Sequence, residues 1–201
     1  MFIHEKIEIG YEDLEVENGE NGRRYLSPDG HKFPSITTVL GVLSRASIAA
    51  WRARVGEEEA NKVSHRASTR GTAVHDIVEK YLDNEELPDV LPHITASLNN
   101  LKPSLNRIGK IFAQESPLYS KHLGVAGRVD CVGIFDDQLS IIDFKTSAKY
   151  KEEYMAKPWY IQMTAYAIMV EELTGQAIEE ITALVAVEGH NAFQIFTADP
   201  R

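Results

Sequence analysis

Acids, a lysine and apolar residues alternate through Gly127-Arg128-Val129-Asp130-Cys131-Val132-Gly133-Ile134-Phe135, Asp136-Asp137, and Gln138-Leu139-Ser140-Ile141-Ile142-Asp143-Phe144-Lys145-Thr146. Alternate residues of a strand share a face, so Asp143 and Lys145 point one way and Ile142 and Phe144 the other. If Asp136-Asp137 is a two-residue hairpin loop, Phe135 faces Gln138 and Asp130 lands opposite Asp143. A four-residue loop from Phe135 to Gln138 keeps that register, whereas a three-residue loop sends Asp143 to the other face. Directly opposed side chains lie about 4.5 to 5.5 Å apart at Cβ, and like charges there are destabilising unless something offsets them. A divalent cation is the natural counter-charge, since Mg²⁺ needs only one or two carboxylates beside water and substrate phosphate. The plainer alternative is an Asp143–Lys145 ion pair with Asp130 on a solvated face; the acid opposite Asp143 and the residues below weigh against it.

Two helical patterns carry single polar residues. In Gly71 to Leu82 the apolar face is Val74, Ile77, Val78, Tyr81 and Leu82, and His75 flanks it, as either a half-buried histidine or a ligand. In Met155 to Leu173, Gln162 occupies the middle of the stripe Met155, Trp159, Tyr166, Met169, Leu173, where an amide requires partners.

The elements that must position these groups are legible in outline. Tyr25 to Phe33 reads as a hairpin turning at Pro28-Asp29-Gly30, and Ser35 is an N-cap for a helix over Ile36 to Leu43. Ser47 to Val55 is a second short helix broken at Gly56, followed by helical character through Glu57 to Leu82. Ile94, Leu98, Leu101, Leu105 and Ile108 hold helical spacing that Pro103 kinks or divides. After Gly109 the period becomes two: Ile111 to Tyr119, Val125 to Phe135 and Leu139 to Thr146 form a three-stranded meander. Ile181 to Val187 and Ala192 to Phe196 are further strands. The expected class is α/β (α+β), a mixed sheet flanked by helices in one domain over 1–201, with an acidic segment 1–22, a hairpin and helical region 23–109 and a core 110–197. The sequence stops at Asp199-Pro200-Arg201 directly after a strand, which leaves room for a C-terminal helix beyond it.

The 201 residues, 43% apolar and 25% charged, exclude a disordered, collagenous or coiled-coil chain. A net charge of −9 argues at first against a nucleic-acid partner. The excess is local, however: residues 1–20 carry −6 and 151–201 carry −5, while 21–150 carry +2. The lone Cys131 excludes an intramolecular disulfide, a cysteine-rich zinc site and a four-thiolate cluster. Met1 to Gly10 has no signal or transit pattern and no apolar run approaches a membrane span, so the expected location is the cytoplasm.

Gly71-x-x-x-His75, Gly127-x-x-Asp130, Asp143-x-Lys145-Thr146 and Gln162-x-x-x-Tyr166, in that order, resemble the PD-(D/E)XK nuclease superfamily in its RecB-like branch. Arg24-Tyr25, Pro28-Asp29-Gly30, Pro34-Ser35-Ile36-Thr37-Thr38-Val39-Leu40 and Trp51 are similar to stand-alone phage exonucleases and the mitochondrial genome maintenance exonuclease. Asp143 stands where many superfamily members have Glu, and the four cysteines of the iron-sulfur members and a Walker A motif are missing.

The resemblance implies a restriction-endonuclease-like core and a Mg²⁺- or Mn²⁺-dependent DNA exonuclease acting on single strands or free ends. A structure-specific endonuclease on the same core and a non-catalytic nucleic-acid-binding module are the alternatives. By position, Asp130 and Asp143 hold the cation with the Phe144 carbonyl and His75, Lys145 orients water or stabilises developing charge, and Gln162 and Tyr166 position substrate or the lysine. Glu115, in phase with Ile111 and Ala113, is a further acid near the metal or an edge-strand surface acid. DNA is the implied partner, with replication or recombination proteins beside it and no membrane. The richest basic stretch is Arg45, Arg52, Arg54, Lys62, Arg66 and Arg70 with Trp51 and His65 among them. Trp51, Arg52, Arg66, Arg70, Tyr119 and Ser120 are the candidate strand contacts, as single strands are held by basic grooves and aromatic platforms.

Overall fold

The structure, a computed structural model, describes residues 1–189 and 192–201. A six-stranded sheet contains, in spatial order, β1 (Ile3–His4), β5 (Ile108–Ser120), β6 (Val125–Phe135), β7 (Gln138–Ser147), β8 (Glu180–Val187) and β9 (Phe193–Ala198). The expected meander is its centre: β5, β6 and β7 are antiparallel neighbours, β7 and β8 run parallel, and β8 and β9 antiparallel. A three-stranded sheet of β2 (Glu15–Gly19), β3 (Gly22–Leu26) and β4 (Lys32–Pro34) stands beside it. The β3–β4 hairpin turns where Pro28-Asp29-Gly30 suggests, with Gly30 at φ 85°.

Among the described residues four helices flank the sheet: α1 (Ile36–Val55), α2 (Glu57–Leu82), α3 (Pro92–Leu105) and α4 (Lys157–Thr174), the last preceded by a 3₁₀ turn over Glu153–Ala156. The mixed α/β architecture is the one expected, and it is consistent with a PD-(D/E)XK nuclease core. Period-two alternation divides the apolar residues between the faces. Ile141, Ala183 and Val185 pack with Met163, Tyr166 and Met169 of α4, while Ile142, Phe144, Leu184 and Ala186 pack with Val74, Ile77 and Val78 of α2 and Leu98 and Leu101 of α3.

Three local expectations differ. The helix capped by Ser35, whose Oγ accepts the Thr38 N–H at 3.0 Å, does not stop at Leu43 but runs unbroken to Val55. Nothing between Leu43 and Ser47 breaks a helix, and the Ser44 and Ser47 hydroxyls bond back to carbonyls three residues earlier. Pro103 does not divide α3, because it lies in the final turn where the chain is already leaving the helix. The acidic N-terminal segment contributes β1 and β2, short strands whose pairing with β5 and β3 no local pattern signals. Among the described residues no helix is long and apolar enough to cross a membrane.

Candidate active site

The β6–β7 hairpin has the register that opposes Asp130 to Asp143. Phe135 pairs with Gln138 and Cys131 with Ile142, and Asp136 and Asp137 have φ 47° and 66°. Positive φ at both central residues is the signature of the tight type I′ turn, whose twist matches the strands it joins. The paired ladder ends at Cys131–Ile142. Just beyond it, the N–H of Phe144, two residues past Ile142, donates to Oδ2 of Asp130, one residue before Cys131, at 2.9 Å. The strands thus open at the two acids, and the side chain of one occupies the gap.

Glu115 reaches this opening by an unexpected route. β5 carries register shifts between Ile108 and Ala113, so a simple phase with Ile111 and Ala113 does not hold across it. Glu115 has φ 46°, a left-handed conformation that costs a non-glycine residue about 1–2 kcal/mol. The Arg128 guanidinium accounts for its persistence: Nη1 donates to the Glu115 carbonyl and Nη2 to Asp13 at 2.8 Å. The effect is visible next door, where the Gln114 amide donates to the Glu79 carbonyl of α2 at 3.0 Å and Glu115 also turns toward α2. Successive residues of a regular strand would point to opposite faces.

From α2, His75 Nδ1 lies 3.5 Å from Asp130 Oδ2, and its ring meets Phe144 edge-on. His75, Glu115 and Asp130 each present one ligand atom, all within 4.8 Å of one another. Asp143 is turned the other way, toward Lys145 and α4: Oδ2 forms an ion pair with Lys145 Nζ, and Oδ1 lies 3.5 Å from the Gln162 amide, itself 3.5 Å from the Tyr166 hydroxyl. Gly127 makes room for Tyr166, since a Cβ there would sit 2.7 Å from ring carbon Cε1 and 2.8 Å from the hydroxyl.

The electrostatics are those of crowded acids. Burial and then the Asp130 charge push Glu115 up to about 7, with His75 partly opposing. Burial, reinforced by Asp143, raises Asp130 as well, against the pull of His75, Lys145 and the Phe144 N–H. Burial alone would favour the neutral Lys145 amine, but Asp143 and Asp130 outweigh it and raise its pKa, so the ammonium is charged at neutral pH. Burial also raises the Tyr166 phenol, which stays protonated. The buried Asp143 Oδ2 has no hydrogen bond of regular geometry despite its ion pair. Two raised carboxylates, a third with an unsatisfied oxygen and an imidazole form a donor set that fits a hard divalent cation such as Mg²⁺ or Mn²⁺.

The site residues expected from the sequence therefore assemble as two adjoining groups, His75–Glu115–Asp130 and Asp143–Lys145–Gln162–Tyr166, joined through Phe144. The strand-contact candidates do not converge on them. Half-buried Trp51 and Arg52 lie on α1, where Arg52 Nη2 donates to Asn61 at 2.6 Å and Nε to Glu57 at 3.2 Å. Tyr119 stacks between Tyr11 and Phe33, and the buried Ser120 hydroxyl bonds Glu172. Arg66 is exposed on α2, but Arg70 is buried and paired with Glu188. Arg128 was not apparent as a site residue; its one sequence signal is its place two residues before Asp130 on the same strand face.

A mixed sheet that opens at paired acids, with a lysine two residues along and a histidine reaching in from a helix, is an architecture suited to metal-assisted phosphate chemistry. Residues 104–192 match the model of the PD-(D/E)XK nuclease superfamily, a stretch that includes β5 to β8 and α4. The match covers less than half of the chain and is a likeness to that nuclease superfamily, in keeping with the motifs read from the sequence. No curated protein matches the sequence.

Proposed function

We propose that this protein is a Mg²⁺- or Mn²⁺-dependent DNA exonuclease of the RecB-like kind, acting on single strands or free ends. The observation that carries the hydrolytic part is the convergence of His75, Glu115 and Asp130 within 4.8 Å beside the Asp143–Lys145 pair. The preference for ends and single strands rests on the similarity of the Arg24 to Trp51 segment to stand-alone exonucleases.

Asp130, Asp143, Glu115 and His75 would hold the cation, with the Phe144 carbonyl as a further ligand. When bound, a divalent ion supplies Lewis-acid polarisation of the scissile phosphate and a more acidic water. Lys145 remains an ammonium, and its N–H groups orient the attacking water or meet negative charge as it develops on the phosphate. Asp143 fixes where that ammonium sits. The Gln162 amide, between Asp143 Oδ1 and the Tyr166 hydroxyl, keeps both in place from α4, and Gly127 admits the tyrosine.

The test is cleavage of an end-labelled linear single strand against a closed circular one. The exonuclease reading predicts loss of the linear strand from an end, with the circle intact. Efficient cutting of the circle replaces it with an endonuclease reading.

A further inference from the structure

The middle turns of α2, from His65 to Ala73, together with the start of α3 and Glu188 just after β8, line a cavity of about 520 Å³ apart from the carboxylate site. Arg66 and Arg70, four residues apart on α2, share one wall; His65, His93 and Glu188 add polar groups, and Leu91 forms an apolar rim. Arg70 is the informative member. It is 92% buried, its Nη1 meets Glu188, and its Nε is buried with no hydrogen-bond partner among the described residues. An unsatisfied guanidinium N–H costs free energy out of water, and the Nε–Nη edge of arginine is shaped for a bidentate oxyanion.

We propose that this cavity is a phosphate-binding subsite for the substrate strand, in which Arg70 and Arg66 grip a phosphate near the one being hydrolysed. The inference rests on the nuclease reading for its ligand and deepens it by locating the strand. Arg70 precedes His75 by five residues of α2, a rise of about 7–8 Å along the helix axis, so the subsite lies on the same helix as the site, roughly one and a half turns away. It also borders the end of β7: Glu188 N–H bonds the Ser147 carbonyl, two residues beyond Lys145. His65 and His93 add ring N–H donors, and Leu91 offers the sugar or base an apolar surface. Glu188 competes with the ligand for Arg70, so the pocket is held in shape before the strand arrives and the carboxylate must yield when it does.

The experiment is fluorescence anisotropy of the full chain with labelled single-stranded oligonucleotides, under chelation so that nothing is cut. Wild type, Arg66→Gln and Glu188→Gln are compared over a salt series. Arg66→Gln is expected to weaken binding about tenfold and reduce the salt slope by about one, as for a lost phosphate contact. Glu188→Gln is expected to act with the opposite sign, tightening binding about threefold or more by releasing Arg70. Probes with a 5′-phosphate, a 3′-phosphate or hydroxyl ends separate the two sources of the anion: a gain confined to one phosphorylated end assigns the terminal group, and equal binding assigns an internal diester. Arg66 is exposed, so its variant decides the matter should Glu188→Gln not fold. Cation-dependent hydrolysis by wild type together with wild-type affinity in both variants overturns the subsite alone. Binding that responds to both variants, with no hydrolysis under any cation, overturns the nuclease reading and leaves the subsite; no binding to any probe overturns both.

Discussion

Asp130 Oδ2, one residue beyond the last position of β6 paired with β7, accepts the backbone N–H of Phe144, two residues beyond that position on β7, at 2.9 Å. The bond solves two problems. It satisfies a buried donor that the parting strands release, and it fixes a carboxylate whose charge burial and Asp143 both disfavour. The opening of the sheet and the placement of the acid are one feature.

Asp130→Asn keeps an oxygen that can accept the Phe144 N–H while removing the charge. Hydrolysis should fall at least about a hundredfold, and the metal-free thermal midpoint should stay level or rise as repulsion with Asp143 and Glu115 is relieved. Activity on a labelled strand and a melting curve in chelator check this pair; retained hydrolysis or an unfolded variant contradicts it.

The metal-free protein should respond to pH through Glu115, whose folded pKa of about 7 lies above its ordinary 4.5. A raised carboxylate pKa favours the protonated form, so its contribution to stability is present below about pH 4.5 and is lost as pH rises through about 7. Glu115→Gln mimics the protonated form. Its melting advantage over wild type should therefore be larger at pH 8 than at pH 5.5, by about 2 °C or more; an equal offset at both would contradict the assignment.

How much of this was legible beforehand depends on the range of the interactions. The Asp130–Asp143 opposition followed from a two-residue loop and strict alternation, both local, and the Ser35 cap and the α4 stripe from Trp159 to Leu173 were equally local, whereas Met155 falls outside the helix, exposed in the preceding 3₁₀ turn. Glu115 was placed near the site, but through a phase that β5 does not keep. Its left-handed turn depends on Arg128, thirteen residues away, which no spacing rule relates to it. The same holds for β1 and β2, whose partners are distant or poorly patterned, and for Arg70, where a cluster of basic residues concealed a buried ion pair with Glu188.

Gly127→Ala places a methyl group against the Tyr166 ring and hydroxyl in a packed interior. The expected cost is about 1–3 kcal/mol, read by urea unfolding, with hydrolysis reduced as Tyr166 and Gln162 shift. Tyr166→Phe in the same background removes the hydroxyl contact at 2.8 Å while keeping the ring-carbon contact at 2.7 Å, and should recover part of the stability without the activity.

Lys145→Ala leaves Asp143 buried beside two other acids without its cation. Hydrolysis should be lost, and Mn²⁺ should raise the melting temperature by more than in wild type, because the added ion now offsets a charge that Lys145 otherwise meets. An equal or smaller shift would indicate that the acids do not share one ion.

The central claim, that the acids gathered where β6 and β7 open form a metal-dependent phosphodiesterase site, is tested most directly by incubating an end-labelled single strand with the protein in Mg²⁺, in Mn²⁺ and in chelator. The account predicts that the strand is shortened only when a divalent cation is present and that Asp130→Asn abolishes the shortening. Cleavage that persists in chelator, or that Asp130→Asn leaves intact, would contradict it.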